Sequence, residues 1–537
     1  EYPHGVKLTA LTFACYLCTY LTASDVNMIS TAVPKITTAF KSLDDIGWYT
    51  SAYLLTLGIS QLLWDALYPI CSLKWTFISC LAVFTAGSAI CSSATSSIML
   101  IVGRGVTGFG SGGILSGALR IIEYSVPLKR RLTYTGLTVA YGMTCVVAPI
   151  IAGALTDSVS WRWCFYLQIP VAVVVILIVV LNFPSPQLDD IGGSLARVKK
   201  IDLEGKILLI SSVTCLILAL NWGGSKHPWG GVTMVWLFDG FVTLFMIFYC
   251  VQVFRPEDAT IPLSLIGKRC LIAAFLFSFA MGSAVHVIHS YLPIWFQAVK
   301  GASALESGLM ILPLDLGIFV GSLIGGVAVI SIGYCPPFMI ISSVLSAVGF
   351  GMVSTFHPDT NYPAWIGYEA MAGIGLGLGV QMPLIAVQLA LAVNEVPKGT
   401  SIVLFAYNIG GALFVSAGQN LFINKLVSGL KNTVPELDPQ TVLANGATSL
   451  DKWMSTQFLQ GVKRVYNDAL IRPYRAAAII AAIAIFGSLV MEWKYTKIKK
   501  NSELAQYIPL LSLRPELNFN LDNKLQVKDK NKFVSKV

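Results

Sequence analysis

Charge is scarce in this sequence. Asp, Glu, Lys and Arg make up only 12% of its 537 residues, about half of the roughly 25% found in soluble domains. With 55% hydrophobic residues and a mean hydropathy of +0.70, that shortage excludes a disordered scaffold, a nucleic-acid binder and a cytosolic enzyme. The net charge of +9 is no nucleic-acid footprint, because the basic residues sit in short loops between apolar runs. Cysteines paired in loops are also missing. Cys15, Cys18, Cys80, Cys91, Cys145, Cys215 and Cys250 lie inside apolar runs and read as small packing residues. The sequence has no G-x-x-x-x-G-K-[ST] phosphate loop, no G-x-S-x-G elbow and no H-E-x-x-H pair. No catalytic residue, metal or cofactor is expected, and ATP-driven work by this chain is excluded.

What is present is apolar length. A spanning helix needs about 20 mostly apolar residues. Fourteen such runs lie near 8–32, 47–70, 75–94, 98–122, 133–156, 163–182, 206–222, 232–254, 270–295, 305–330, 336–356, 363–392, 400–424 and 475–495. The first is no signal peptide: it is too long, holds Asp25 and lacks a small-residue cleavage site. The chain starts at Glu1 without methionine, so a preceding piece is expected. If both ends are cytoplasmic, seventeen lysines and arginines fall in or beside inner loops, among them Lys74, Lys129, Arg130, Arg131, Arg197, Lys199 and Lys200. Only five, Lys35, Lys41, Arg162, Lys226 and Lys300, fall in short outer ones. That bias sets the orientation and demands an even number of spans.

Three stretches lie outside the membrane in this reading. Residues 183–205 form a polar inner linker, 425–474 a long outer loop, and 496–537 a cytoplasmic tail expected to be disordered. Within the outer loop, Trp453, Phe458, Val462, Val465 and Ala469 recur at helical spacing from Asp451 to Arg472. They predict a short amphipathic helix lying on the outer face.

The fourth run reads Arg104-Gly105-Val106-Thr107-Gly108-Phe109-Gly110 and the twelfth Glu369-Ala370-Met371-Ala372-Gly373-Ile374-Gly375. In each a charge is followed by glycines four and six residues on. The runs are eight spans apart, as two six-span halves separated by two extra helices require. Such related halves are a transporter architecture. Chance likeness between glycine-rich membrane helices is the competing account.

Four motifs resemble those of the major facilitator superfamily, and within it the fourteen-span drug:proton antiporters of fungi, which include toxin-efflux pumps. Asp25-Val26-Asn27-Met28-Ile29-Ser30-Thr31-Ala32-Val33-Pro34 resembles that family's L-D-x-T-I-V-x-x-A-L-P, with Asn27 in place of the usual threonine. Leu43 to Tyr49, followed by Ser51 to Leu55, is similar to its entry into the second helix. Arg104 to Gly110 matches its arginine–glycine motif. Ala148-Pro149-Ile150-Ile151-Ala152-Gly153 resembles the antiporter motif G-P-x-x-G-G, with alanine at 148 and 152 where glycine is usual. The loop motif G-x-L-x-D-R-x-G-R is degraded to the stretch Asp65 to Lys74. The resemblance covers roughly residues 8–495. It implies an all-α polytopic membrane protein with the major facilitator fold and fourteen transmembrane helices arranged 6+2+6. The expected parts are a six-helix half at 1–182, the linker 183–205, two extra helices and a loop at 206–269, and a second half at 270–495.

Charge at mid-bilayer costs at least about 2.5–3.5 kcal/mol, so intramembrane ionisable residues usually face a cavity and act there. Asp25 lies ~25 Å from the inner surface and Arg104 ~9 Å from the outer one, at 1.5 Å per residue. In a core about 30 Å thick, both are in the outer half at similar depths. They are expected to form a proton-sensitive pair, against the alternative of a static ion pair. Asp315, ~14 Å below the outer surface, is expected to bind a cationic substrate or carry the exchanged proton, against the alternative of a pore-facing acid hydrogen-bonded to a neighbouring serine or glycine carbonyl. Asp239 and Glu369 are shallower. His286 and His289, at i and i+3, could relay protons or bind a metal, though such histidines are more often packing residues. Tyr53, Gln61, Tyr141, Glu369, Gln381, Gln388, Tyr407 and Asn408 would suit a substrate cavity, and wall packing is equally consistent. Ala148, Pro149, Ala152 and Gly153 would allow the close helix contact that closes one side.

The expectation is a proton-coupled exporter of a small organic compound, a drug, toxin or secondary metabolite, working by alternating access. It would be a monomer in the plasma membrane with protons, lipid and a small molecule as its only partners. The alternatives are an importer or vacuolar carrier of a siderophore or basic amino acid, and a non-transporting sensor descended from carriers.

Overall fold

The computed structural model describes residues 5–125, 137–184, 202–224, 226–255, 259–392, 395–446, 450 and 454–494. Most of the linker 183–205, the tail 496–537 and the loop cations Lys129, Arg130, Arg131, Arg197, Lys199 and Lys200 lie outside them. Fourteen long helices are described: α1 Val6–Phe40, α2 Ile46–Leu67, α3 Leu73–Ser92, α4 Ser97–Ser125, α5 Leu137–Ser158, α6 Trp163–Asn182 and α7 Leu203–Trp222. Then follow α8 Val232–Phe254, α9 Arg269–Ala298, α10 Ala304–Ile332, α11 Pro336–Val353, α12 Tyr362–Ala390, α13 Val396–Thr433 and α14 Thr456–Val490. Thirteen are long and apolar enough to cross a membrane. The other, α2, has 22 residues but carries Thr50, Ser51, Thr56, Ser60, Gln61 and Asp65, and packs between α4 and α13. No strand occurs among the described residues.

Local chemistry sets the helix ends and breaks. Ser303 and Glu306 form a reciprocal capping box at the start of α10. α10 breaks at Ile311 just before Pro313, and α12 at Gln381 just before Pro383, where a missing N–H interrupts the ladder. Asp202 caps α7 through the Gly205 N–H and also accepts from Thr260 and Gln252 near the end of α8. Burial pushes its carboxyl up, but these donors outweigh burial and hold it below the ordinary value of 3.8.

The halves repeat each other's packing. α2 and α3 pack on α4 as α10 and α11 pack on α12. Between halves, α2 meets α13 and α10 meets α5, which is one contact made twice about a pseudo-twofold axis. α7 packs against both α2 and α13, and α8 lies outside it with most of its apolar surface exposed. Glycines let the tightest pair approach: a Cβ on Gly373 of α12 would lie 2.2 Å from the Leu314 carbonyl oxygen of α10.

The two ends of the bundle differ. At the terminal end, where α1 begins and α14 ends, the halves meet where Ser401 donates to Asp65 at 2.6 Å. At the distal end Gln297 donates to the Thr31 carbonyl at 3.0 Å, and Gln419 bonds both the Gly47 N–H and the Leu43 carbonyl. There too the Leu305 N–H donates to Asp157 at 2.8 Å, while Lys35 pairs with the same carboxylate.

The stretch 425–474 differs from its expected form as a loop with a separate amphipathic helix. α13 runs on to Thr433, Pro439–Asn445 forms a short helix, and α14 starts at Thr456 and continues unbroken into the last span. Of the apolar stripe, Val462, Val465 and Ala469 are buried and Phe458 is half-buried, while Trp453 lies outside the described residues. The stripe packs on neighbouring helices of the same bundle, so continuity with the span prevails over an independent surface helix.

Candidate functional site

α1 and α4 cross where Asp25 and Arg104 meet. Arg104 Nη1 lies 2.6 Å from Asp25 Oδ2, and neither side chain has any exposure. Arg104 Nε donates to the Tyr49 carbonyl at 3.0 Å, and its guanidinium sits 4.3 Å from the centre of the Tyr53 ring. Tyr53 in turn donates to Ser111 at 2.8 Å. One atom of each partner, Asp25 Oδ1 and Arg104 Nη2, remains without a hydrogen bond. The pair is held firmly on the arginine side and loosely on the carboxylate side.

The second half has its own cluster. His289 of α9 faces Asp315 of α10, with Nε2 2.8 Å from Oδ1. Its other ring nitrogen faces the Val285 carbonyl at 3.1 Å. Asp315 is 2% exposed and its Oδ2 has no partner. Glu369 of α12 is fully buried with both oxygens unpartnered, and it lies within electrostatic reach of Asp315. The sequence had placed Asp315 near the midplane but not its partner; the only signal was the histidine pair at i, i+3. That pair does not act together. His286 turns away, to the Gly282 carbonyl and the Tyr407 ring. Among the described residues no group of three metal-ligating side chains occurs.

The expected cavity residues divide. Tyr141 is exposed near the start of α5, and Gln61, Gln381 and Tyr407 are half-buried. Tyr53, Glu369 and Asn408 are buried, so their side chains do not line open space. Gln388 is exposed near the terminal end of α12, and Asp239 is exposed on α8, apart from both clusters. Asn27 donates to Cys145 at 3.4 Å, joining α1 to α5 beside the centre.

Ala148 and Ala152 are fully buried. A Cβ on Gly153 would lie 2.6 Å from the Ala304 carbonyl oxygen, and one on Gly308 would lie 2.5 Å from that of Pro149. The small residues of this stretch therefore bring α5 and α10 together at backbone distance, next to the Asp157–Leu305 bond.

A family profile described as Major Facilitator Superfamily matches residues 15–415. The chain belongs to the major facilitator superfamily. An "MFS-type efflux pump MFS1" of Trichophyton rubrum is 44% identical over 92% of this chain and 93% of its own length. The "Aspyridones efflux protein" of Neocamarosporium betae is 42% identical, covering 93% of this chain and 89% of its own. Among solved structures, a bacterial homolog of the human lysosomal transporter Spinster, inward-facing and unoccupied, matches with a TM-score of 0.62 at 14% identity. It covers 91% of this chain and 98% of its own. This superfamily member is a multi-pass membrane transporter and not an enzyme.

Proposed function

We propose that this efflux transporter exports a small organic compound in exchange for protons, by alternating access between the halves 1–182 and 270–495. The observation that carries the reading is the buried Asp25–Arg104 pair. A proton on Asp25 removes the anion that, among the described residues, pairs with Arg104, while Tyr49 and Tyr53 keep the guanidinium on α2 and α4. A buried charge without its partner is costly, so protonation favours a different placing of α1 against α4. Asp315 is the corresponding acid of the second half. The distal contacts through Asp157, Gln297 and Gln419 support a state closed on that side. With both termini cytoplasmic, the closed side is the outer one.

Tyr141, Gln61, Gln381 and Tyr407 form the wall that an amphipathic molecule would touch. The relatives' names, efflux pumps and in one instance an aspyridones exporter, favour a lipophilic drug, toxin or secondary metabolite as cargo. They favour export over import of a siderophore or basic amino acid. The protein acts as a monomer in the plasma membrane, since each such fold encloses its own path.

The test uses purified protein in liposomes with an imposed pH gradient, a panel of lipophilic dyes and fungal metabolites, and a protonophore control. Gradient-dependent movement abolished by the protonophore and by Asp25→Asn is the expected result. Movement of a compound that ignores the gradient would show a uniporter and end the proton-coupled reading.

A further inference from the structure

His289 cannot make both of its hydrogen bonds as an ordinary neutral imidazole beside an ionised acid. A carbonyl oxygen only accepts, so Nδ1, facing Val285, must carry a hydrogen. An ionised carboxylate also only accepts, so Nε2, 2.8 Å from Asp315 Oδ1, must face it through a proton as well. The histidine and the acid together hold one proton more than a neutral ring and a carboxylate would.

The repeat places this cluster opposite the first. Arg104 and Glu369 occupy equivalent positions, and carrying Asp25 across in the same register falls at Ser290, next to His289. Each half thus has an ionisable pair at the same level of the bundle. In the first half the cation is arginine, which keeps its charge at all working pH values. In the second it is histidine, which can release its proton.

We propose that His289 and Asp315 share a transferable proton and form a second proton-binding site, with His289 as the group that takes up and releases it. This rests on the reading of the chain as a proton-coupled exporter. The titratable groups within electrostatic reach of the pair are His286 on α9, Cys145 on α5 and Glu369 on α12. Beyond them, Tyr141 on α5 neighbours Cys145, Tyr407 on α13 neighbours His286, and Tyr474 on α14 neighbours Glu369. Among the described residues no lysine or arginine pairs with Asp315 or Glu369. Release of the proton leaves an uncompensated buried carboxylate on Asp315, beside a second acid that has no donor of its own. That state favours rearrangement of α9 against α10 and α12. Glu369 lies within electrostatic reach of Asp315, and the released proton leaves to the aqueous side that alternating access exposes.

The test uses the full chain with 15N-labelled histidine in lipid nanodiscs, titrated by NMR with His289→Gln to assign the signal and Asp315→Asn to remove the acceptor. The expected result is a His289 ring protonated on both nitrogens at pH values where an ordinary imidazole, with a pKa of about 6.5, has lost its proton, and an early loss of that second proton in Asp315→Asn. A His289 ring that titrates as an ordinary imidazole would overturn the proposal. If a variant does not fold, the wild-type spectrum decides, because a count of histidines that retain the second proton needs no variant.

In liposomes, glutamine at 289 can still donate to an ionised Asp315 but holds no transferable proton. His289→Gln is expected to keep exchange of a carried compound at equal pH and to lose gradient-driven accumulation to the level of the protonophore control. Accumulation at the wild-type level would sink the second site and leave proton-coupled export standing. A wild type indifferent to the gradient would instead sink the export reading, and the NMR result would still decide whether the pair holds a proton.

Discussion

Arg104 Nη1 and Asp25 Oδ2 lie 2.6 Å apart with no exposure on either side chain, and each residue keeps one polar atom unpartnered. Removing one member leaves the other charged and buried. Asp25→Asn or Arg104→Gln is therefore expected to destabilise the protein by about 3–5 kcal/mol. The double variant Asp25→Asn/Arg104→Gln leaves no lone charge, so its loss should fall well below the sum of the singles. Denaturant unfolding in detergent, arranged as a double-mutant cycle, measures this. Additive losses would mean the two residues do not depend on each other.

Gly153 is expected to govern the distal closure. An added Cβ would sit 2.6 Å from both the Ala304 carbonyl oxygen and Leu305 Cα, and overpacking of this kind costs about 1–3 kcal/mol. In Gly153→Val, α5 and α10 must part at that end, and the Leu305 N–H loses Asp157. Hydrogen exchange at Leu305 should speed up while exchange in the α3–α4 contact stays unchanged. Unaltered protection at Leu305 would show that this contact does not hold the end shut.

Ser401 is the described tie at the other end. Ser401→Ala leaves Asp65 without its 2.6 Å donor across the halves, a loss of about 1.5–3 kcal/mol for a hydrogen bond to a charged group. The terminal end should open more often, read as faster hydrogen exchange at the end of α2 and the start of α13. No change in exchange there would remove Ser401 from the account of gating.

Asp202 gives a pH dependence outside the membrane. Its carboxyl is held below 3.8 in the folded chain by the donors Gln252, Thr260 and Gly205, which outweigh burial. A depressed value means its stabilisation is fully present above 3.8 and is lost as pH falls through the folded value. Asp202→Asn should therefore be less stable than wild type at pH 7, with the gap closing in strong acid. Equal stability of the two at pH 7 would contradict the tie between α7 and α8.

The helices were legible in the sequence because a run of some 20 apolar residues admits few structures other than a span. The charge–glycine repeat at Arg104 and Glu369 disclosed the two halves, since glycines at those offsets are what close helix contact needs. Asp25 and Arg104 stood out by the cost of charge inside a span and by the motifs that hold them. His289 did not, because a histidine's role depends on what faces each ring nitrogen, and Asp315 is 26 positions away on another helix. Asp157 and Gln419 were equally hidden: near a helix end a polar residue looks like ordinary surface until its partner across the halves is known. The stripe at Val462 to Ala469 announced a helix but not its continuity with α14, since periodicity says nothing of where a helix ends.

The measurement that tests the central claim most directly follows protons rather than cargo. Liposomes containing the protein and the pH dye pyranine are loaded with a transported compound at equal pH on both sides, then diluted so that only the compound's gradient remains. Proton-coupled exchange predicts a pH change inside the liposomes as the compound leaves and protons move the opposite way, absent with Asp25→Asn and in empty liposomes. Movement of the compound with no pH change would contradict it.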